Sequence, residues 1–180
     1  MHSELYHGLL DEGRLYNAAE KDKYFWVDGM EWLSPEESEK RMKLLKEYWA
    51  GIDKVFSEAL DGYALFAINA GGDPWLVDEK SGRTSLLPYD SGSSYPKHEY
   101  NSVEAAVFVR LLRYAAESID DIGVTEEELR SYLKNSADVC EKYFPTEWTA
   151  ELRRIADGTL ENGSLLSDEK MKQIREDLCI

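Results

Sequence analysis

Apolar positions fall into short continuous runs in the middle of this chain and into three- and four-residue spacings on either side. Leu65-Phe66-Ala67-Ile68 and Trp75-Leu76-Val77 are nearly all apolar, as in strands covered on both faces. Gly71-Gly72-Asp73-Pro74 between them leaves no room for a helix. A third run at residues 83–87 is more mixed, as in a strand nearer an edge. Lys80-Ser81-Gly82 before it fits a three-residue hairpin loop, a type I turn closed by glycine at positive φ. Earlier, Asp28-Gly29 separates two four-residue apolar and aromatic runs (residues 24–33), which predicts a hairpin with a type I′ turn and positive φ at both central residues.

The helical spacings begin with Leu5, Leu9, Leu10 and Leu15, with Tyr6 and Tyr16, an irregular helix interrupted by Gly8 and Gly13. Ser34-Pro35-Glu36-Glu37 opens a second helix: Ser34 as N-cap, Pro35 at N1, Glu37 closing a capping box. Leu45, Tyr48, Trp49, Ile52, Phe56, Ala59 and Leu60 then form one stripe directed at the sheet, with Gly51 as a point of division. Lys40, Arg41, Lys43 and Lys46 make the outer face locally basic, which reads as a solvated surface. A loop rich in Ser, Gly, Pro and Tyr covers residues 90–100. Asn101 or Ser102 caps the next helix, with Glu104 placed to answer Asn101; Val103, Ala106, Val107, Leu111, Tyr114 and Ala115 are its buried stripe. Asp120 and Asp121 are expected at its C-terminus, against the dipole.

From Val124 the pattern is helical alone. Thr125 and Glu128 make a capping box, Pro145 stops that helix, Thr146 opens another, Gly158 to Gly163 is a break, and Ser167 caps the last. No linker precedes Val124. The predicted architecture is therefore α+β: a largely antiparallel sheet of five or six short strands packed by helices in residues 1–123, with a helical extension, 124–180, packed on the same domain.

Charge changes the picture of partners. Against 21 Lys and Arg stand 36 Asp and Glu, a net charge of −15 over 180 residues, beyond the magnitude of about 2–8 that solubility asks of a small domain. Such a field speeds encounter with a basic partner and disfavours nucleic acid, whose phosphates need clustered cations. Cys140 and Cys179 lie far apart with no Cys-x-x-Cys, which fits a reducing cytoplasm. No leader-like apolar run or stretch of about 20 apolar residues is visible, so membrane attachment is not expected.

No catalytic, metal or cofactor pattern emerges. His2, His7 and His98 form no zinc spacing, and Cys140 reads as a structural thiol before it reads as a nucleophile paired with His98. There is no Gly-x-Ser-x-Gly and no phosphate-cradling glycine pattern. Carboxylates are so plentiful that an acid/base pair such as Asp73 with Asp78 can be proposed from composition alone, and it would need an apolar pocket.

The order Phe66-Ala-Ile-Asn-Ala-Gly-Gly-Asp-Pro-Trp-Leu-Val-Asp78, Ser81-Gly82-Arg83, Tyr89-Asp90 and Asn101-Ser-Val-Glu104 resembles the SUKH superfamily of toxin-immunity proteins and fungal cell-wall regulators. The likeness covers roughly residues 24–112. The helix and Leu-Pro segment with which the family opens have no counterpart here. The resemblance implies a non-enzymatic protein that binds and neutralises a toxin domain by stoichiometric contact. The acidic balance points to a basic, nuclease-like toxin. A regulatory or scaffold module of the same fold is the alternative, and a carboxylate hydrolase a third. Loop position and residue type pick out Asp73, Trp75, Glu79, Asp90 and Tyr95 as expected partner contacts, with acidic groups for steering and aromatics for anchoring.

Overall fold

The computed structural model describes residues 3–15, 23–88 and 99–180, and the chain divides into two compact units, Met1–Ala106 and Val107–Ile180. The fold is mixed α+β. The described residues hold eight α-helices and one antiparallel sheet of four strands in sequential order, β1 (Glu31–Trp32), β2 (Tyr63–Ile68), β3 (Pro74–Asp78) and β4 (Thr84–Leu86).

The sequence predicts five or six strands, and the difference arises in residues 24–33. Phe25 N–H donates to Arg14 O (2.9 Å) and Phe25 O accepts from the Trp32 indole (2.9 Å), so this arm's backbone is committed away from a hairpin ladder. One bridge, Val27 to Met30, closes the Asp28-Gly29 turn. Gly29 has φ +68°, Asp28 is not in the positive-φ region, and Met30 N–H donates to Val27 O (3.0 Å). Positive φ at the second central residue alone is the type II pattern, not the type I′ pattern expected.

The middle runs form β2 and β3, buried along most of their length. Cross-strand pairs Leu65–Leu76 and Ala67–Trp75 leave Phe66 as a bulge, and its carbonyl accepts from Leu33 N–H (3.0 Å). The β3–β4 loop has four residues between the bonded pair Asp78 and Arg83, one more than predicted. Gly82 ends it at φ +72°, the conformation that made glycine the expected residue.

Strand alternation gives the sheet two unlike faces. Leu65, Leu76 and Leu87 pack with Leu45, Trp49, Phe56 and Leu60 from α2 (Pro35–Ala50), α3 (Lys54–Ala59) and the 3₁₀ turn Leu60–Gly62. The opposite face carries a row of aromatic rings, Phe25, Trp32, Phe66, Trp75 and Tyr100, with successive centroids 5.9–6.4 Å apart. Tyr6 of α1 (Glu4–Asp11) joins that row, its hydroxyl donating to Leu33 O (2.7 Å).

Local capping chemistry starts the helices as read from sequence. Ser34 Oγ accepts from Glu37 N–H, but Glu37 does not reach back to Ser34 N–H, so only half of the capping box expected there forms; Thr125 and Glu128 form the full capping box at α6 (Glu126–Cys140). The apolar stripe of α2 is narrower than predicted. Ser38 donates to Leu65 O and turns Ser38, Met42, Leu45 and Trp49 to the sheet. Tyr48 and Ile52, expected inside, are 52% and 60% exposed. The chain turns after Ala50, and Asp53 re-caps α3, so the helical phase that would have carried Ile52 inward is broken.

Ser102, with its Oγ accepting from Ala105 N–H, caps α4 (Val103–Ala116). Glu104 does not answer Asn101 there. It accepts instead from Ser3 Oγ (2.7 Å) and Leu5 N–H (3.2 Å), tying the N-terminus of α1 to the first turn of α4. In the second unit α4 ends before the aspartates. Asp120 and Asp121 lie in the first turn of the short α5 (Ile119–Ile122), where a helix dipole favours them. Phe108 stacks on Trp148 of α7 (Thr146–Ala156) at 4.9 Å, and Ser167 caps α8 (Asp168–Asp177).

Candidate protein-binding face

The predicted contact residues separate into three groups. Asp90 and Tyr95 lie outside the described residues. Trp75 is 2% exposed, its ring in the aromatic row and its indole N–H donated to Gly29 O (2.9 Å), so in this fold it offers no surface to a partner. Asp73 and Glu79 stand at opposite ends of β3. Glu79 is exposed, and its N–H is bonded to Gly62 O (2.9 Å).

Asp73 is part of a latch. Its carboxylate accepts from the Asn69 amide (2.9 Å), its N–H donates to Asn69 Oδ1 (2.8 Å), and its carbonyl receives Asn69 N–H (2.9 Å). These bonds close the β2–β3 turn. Asp78 is engaged in the next turn, accepting from Lys80 N–H (2.9 Å) and Ser81 Oγ (2.8 Å). At about 3.3 Å per strand residue, the two aspartates stand about 16 Å apart. That is well beyond the 5–9.5 Å over which paired carboxyls act on one bond.

The structure brings together a different set at the Asp73 end of the sheet. Glu31 pairs with Ile68, whose other neighbour across the sheet is Pro74, so Glu31 and Asp73 share that end. The Trp75–Gly29 bond anchors the Asp28-Gly29 turn beside them. Across the Val27–Met30 bridge Trp26 stands opposite Glu31, and Trp26 is 41% exposed while its neighbours Phe25 and Val27 are buried. Tyr24 is near enough to Glu31 that its phenol is held above its ordinary value, first by burial and then by that carboxylate.

Electrostatics sets this corner apart. No lysine or arginine occurs between Lys23 and Lys40, nor between Lys54 and Lys80, the segments that build it. Asp28, Glu31 and Asp73 therefore lie at the end of the sheet where Trp26 is exposed, on segments that carry no lysine or arginine of their own. Trp26 and Glu31 were missed by treating all of 24–33 as core. The available signal was the two-residue alternation: Phe25 and Val27 inward, Tyr24 and Trp26 outward.

At the other end of β3, Tyr63 is likewise held above its ordinary value, by burial and then by Asp78. Among the described residues, no group of three or more His, Cys, Asp or Glu side chains is gathered as a metal site, and no helix is long and apolar enough to cross a membrane. Cys140 is buried. His98, its proposed partner, lies outside the described residues. No protein-family model, curated protein or solved structure matches the chain.

Proposed function

We propose that this chain is a non-catalytic, cytoplasmic protein-binding module of the immunity type. It neutralises a basic toxin domain by stoichiometric contact at the Asp73 end of its sheet. The observation that carries this reading is Trp26, 41% exposed and set opposite Glu31 in a corner shared with Asp28 and Asp73. Tryptophan is the residue type most enriched among interface hot spots, and such anchors bind best where surrounding groups complement the partner. Here the surroundings are carboxylates. They attract cations of a nuclease-like surface, speed its approach, and compete with the phosphate groups those cations would otherwise hold.

Within this reading each residue has a physical role. Trp26 inserts its ring into an apolar recess of the toxin. Glu31 and Asp28 pair with lysine or arginine at the rim. Asp73 shapes the turn through Asn69 and adds its negative field. Trp75, from within the core, positions the Asp28-Gly29 turn and touches no partner. The SUKH resemblance supplies the expectation of a toxin, and the net charge of −15 supplies the expectation that it is basic.

The test is co-expression with a toxin domain from the neighbouring gene, which this reading requires to be there. The wild-type chain should restore growth, and Trp26→Ala with Glu31→Lys should lose most of that protection while remaining folded. The complex should form more slowly as salt rises, because the steering field is screened. A toxin that kills equally with and without the wild-type chain would end the proposal.

A further inference from the structure

The one Asn-Gly pair in the chain, Asn162-Gly163, lies in the connection between α7 and α8 and has no part in the proposed contact. Asn162 has φ +52° and Gly163 φ +85°, and Ser164 N–H donates to Glu161 O (3.1 Å). Positive φ at both central residues is the type I′ pattern, which asparagine followed by glycine favours. Glu161 N–H donates in return to Ser164 O (2.9 Å). Asn162 is exposed, whereas Gly163 is half-buried. The Gly163 carbonyl accepts from Ile119 N–H (2.9 Å), and a Cβ on Gly163 would stand 3.1 Å from Ser118 Oγ. The turn is thus docked on the start of α5.

We infer that Asn162 is a spontaneous modification site, closed while this turn is docked and converted to aspartate or isoaspartate when the α7–α8 connection opens. The nucleophile is Gly163 N, which attacks Asn162 Cγ. The N–Cγ bond forms, the Cγ–Nδ2 bond breaks, and the side-chain nitrogen leaves as ammonia with the proton of the Gly163 amide. The product is a five-membered succinimide. Water then adds to one of its two carbonyl carbons and breaks that carbon's bond to Gly163 N. Breakage at Cγ gives aspartate. Breakage at the main-chain carbon gives isoaspartate, with the backbone rerouted through the side chain. Glycine, lacking a Cβ, hinders the attacking nitrogen least.

The docked turn holds this reaction back. Ring closure needs Gly163 N and Asn162 Cβ nearly eclipsed about the Cα–C bond. In a type I′ turn the first central residue has ψ of about +30°, which sets that nitrogen roughly 150° away from Cβ. Turning the Gly163 peptide into line breaks the paired Glu161–Ser164 bonds and the bond from Ile119 N–H to Gly163 O. Local opening therefore precedes the chemistry, and the rate reports how often the connection is open. Isoaspartate does not fit back. It adds a backbone methylene between Glu161 and Ser164, so those bonds lose their register. Aspartate keeps the normal backbone and tolerates the left-handed conformation.

The test incubates the full chain in mildly alkaline buffer, folded or unfolded in guanidinium chloride, and follows residue 162 by peptide mass spectrometry with isoaspartate counted separately. Conversion should be at least about tenfold slower in the folded chain. Ile119→Pro tests the lock. Position 119 begins α5, and Ser118 before it (φ −69°, ψ 132°) already has the extended conformation that a following proline requires. The substitution removes the donor to Gly163 O and should speed conversion about threefold or more with an unchanged circular dichroism spectrum. In the isoaspartate product the Ile119 amide should exchange hydrogen faster, whereas Asn162→Asp should leave it at the wild-type rate. A folded chain that converts as fast as the unfolded one overturns the inference, whether or not Ile119→Pro folds. So does an unfolded chain with no conversion at 162, a folded Ile119→Pro chain that converts no faster, or an isoaspartate product with wild-type exchange at Ile119.

Discussion

Two tryptophans close in space have opposite assignments, and exchanging each for a smaller residue separates them. Trp75 is 2% exposed, lies 6.3 Å from Phe66 and 5.9 Å from Tyr100 by ring centroid, and donates its indole N–H to Gly29 O at 2.9 Å. Trp75→Phe keeps an aromatic ring but leaves Gly29 O without its donor, a cost of about 1 kcal/mol for a part-buried hydrogen bond. The lost ring volume adds a further term of about 1 kcal/mol. The expected destabilisation is thus about 2 kcal/mol, a sizeable fraction of the 5–15 kcal/mol that holds a typical domain folded. Trp26 is 41% exposed. Trp26→Ala should cost less than about 1 kcal/mol, as surface substitutions do. Urea unfolding followed by far-ultraviolet circular dichroism gives both numbers, provided the slopes match wild type. The binding assay should show the reverse ranking, a large loss for Trp26→Ala and a smaller, indirect one for Trp75→Phe through a loosened Asp28-Gly29 turn. Trp75→Phe within 0.5 kcal/mol of wild type, or Trp26→Ala as damaging as Trp75→Phe, would refute the division into core and contact residues.

Further outcomes follow from single interactions. Glu104→Ala removes the acceptor shared by Ser3 Oγ and Leu5 N–H and should cost about 2 kcal/mol in urea unfolding, with faster hydrogen exchange at Leu5; Glu104→Gln, which keeps an oxygen there, should recover part of it. Gly82→Val forces a β-branched residue into φ +72°, so a loss of at least 1–2 kcal/mol is expected, and an unchanged melt would contradict the turn geometry. The Thr125 backbone and side-chain hydrogen bonds hold the Glu128 carboxyl below its usual 4.5. A lowered folded-state value means the cap's contribution is complete above the ordinary range and disappears as pH falls through the lowered value. Thr125→Ala should therefore be less stable than wild type near neutrality, with the gap narrowing but not closing in acid, because Thr125 Oγ1 also accepts Glu128 N–H whatever the pH and alanine keeps the backbone bond to the carboxyl.

The sequence by itself determined the features whose causes lie within three or four residues. Ser34, Thr125 and Ser167 cap helices because a short side-chain oxygen reaches the amide three positions on. Gly82 takes positive φ because the loop before β4 demands it. The runs at Leu65 and Trp75 become central strands because nothing between their glycines can be helical. Loop length and turn type were less legible: one added residue before Arg83, or a change of φ at Asp28, costs too little locally to leave a mark in composition.

Only the tertiary structure decided which of these residues meet solvent. Trp75 is interior because Gly29, 46 positions away, accepts its indole, and Trp26 is exterior because Phe25 is drawn inward to Arg14 and Trp32. Glu104 serves a helix 101 positions earlier instead of capping its own. Tyr48 and Ile52 share the spacing of the buried stripe yet stay outside, because Ser38 on Leu65 O sets the rotation of α2 and the turn after Ala50 resets the phase. Period and propensity are properties of neighbours along the chain. Burial is decided by partners that the chain supplies from a distance, and the candidate contact surfaces are what those partners leave uncovered.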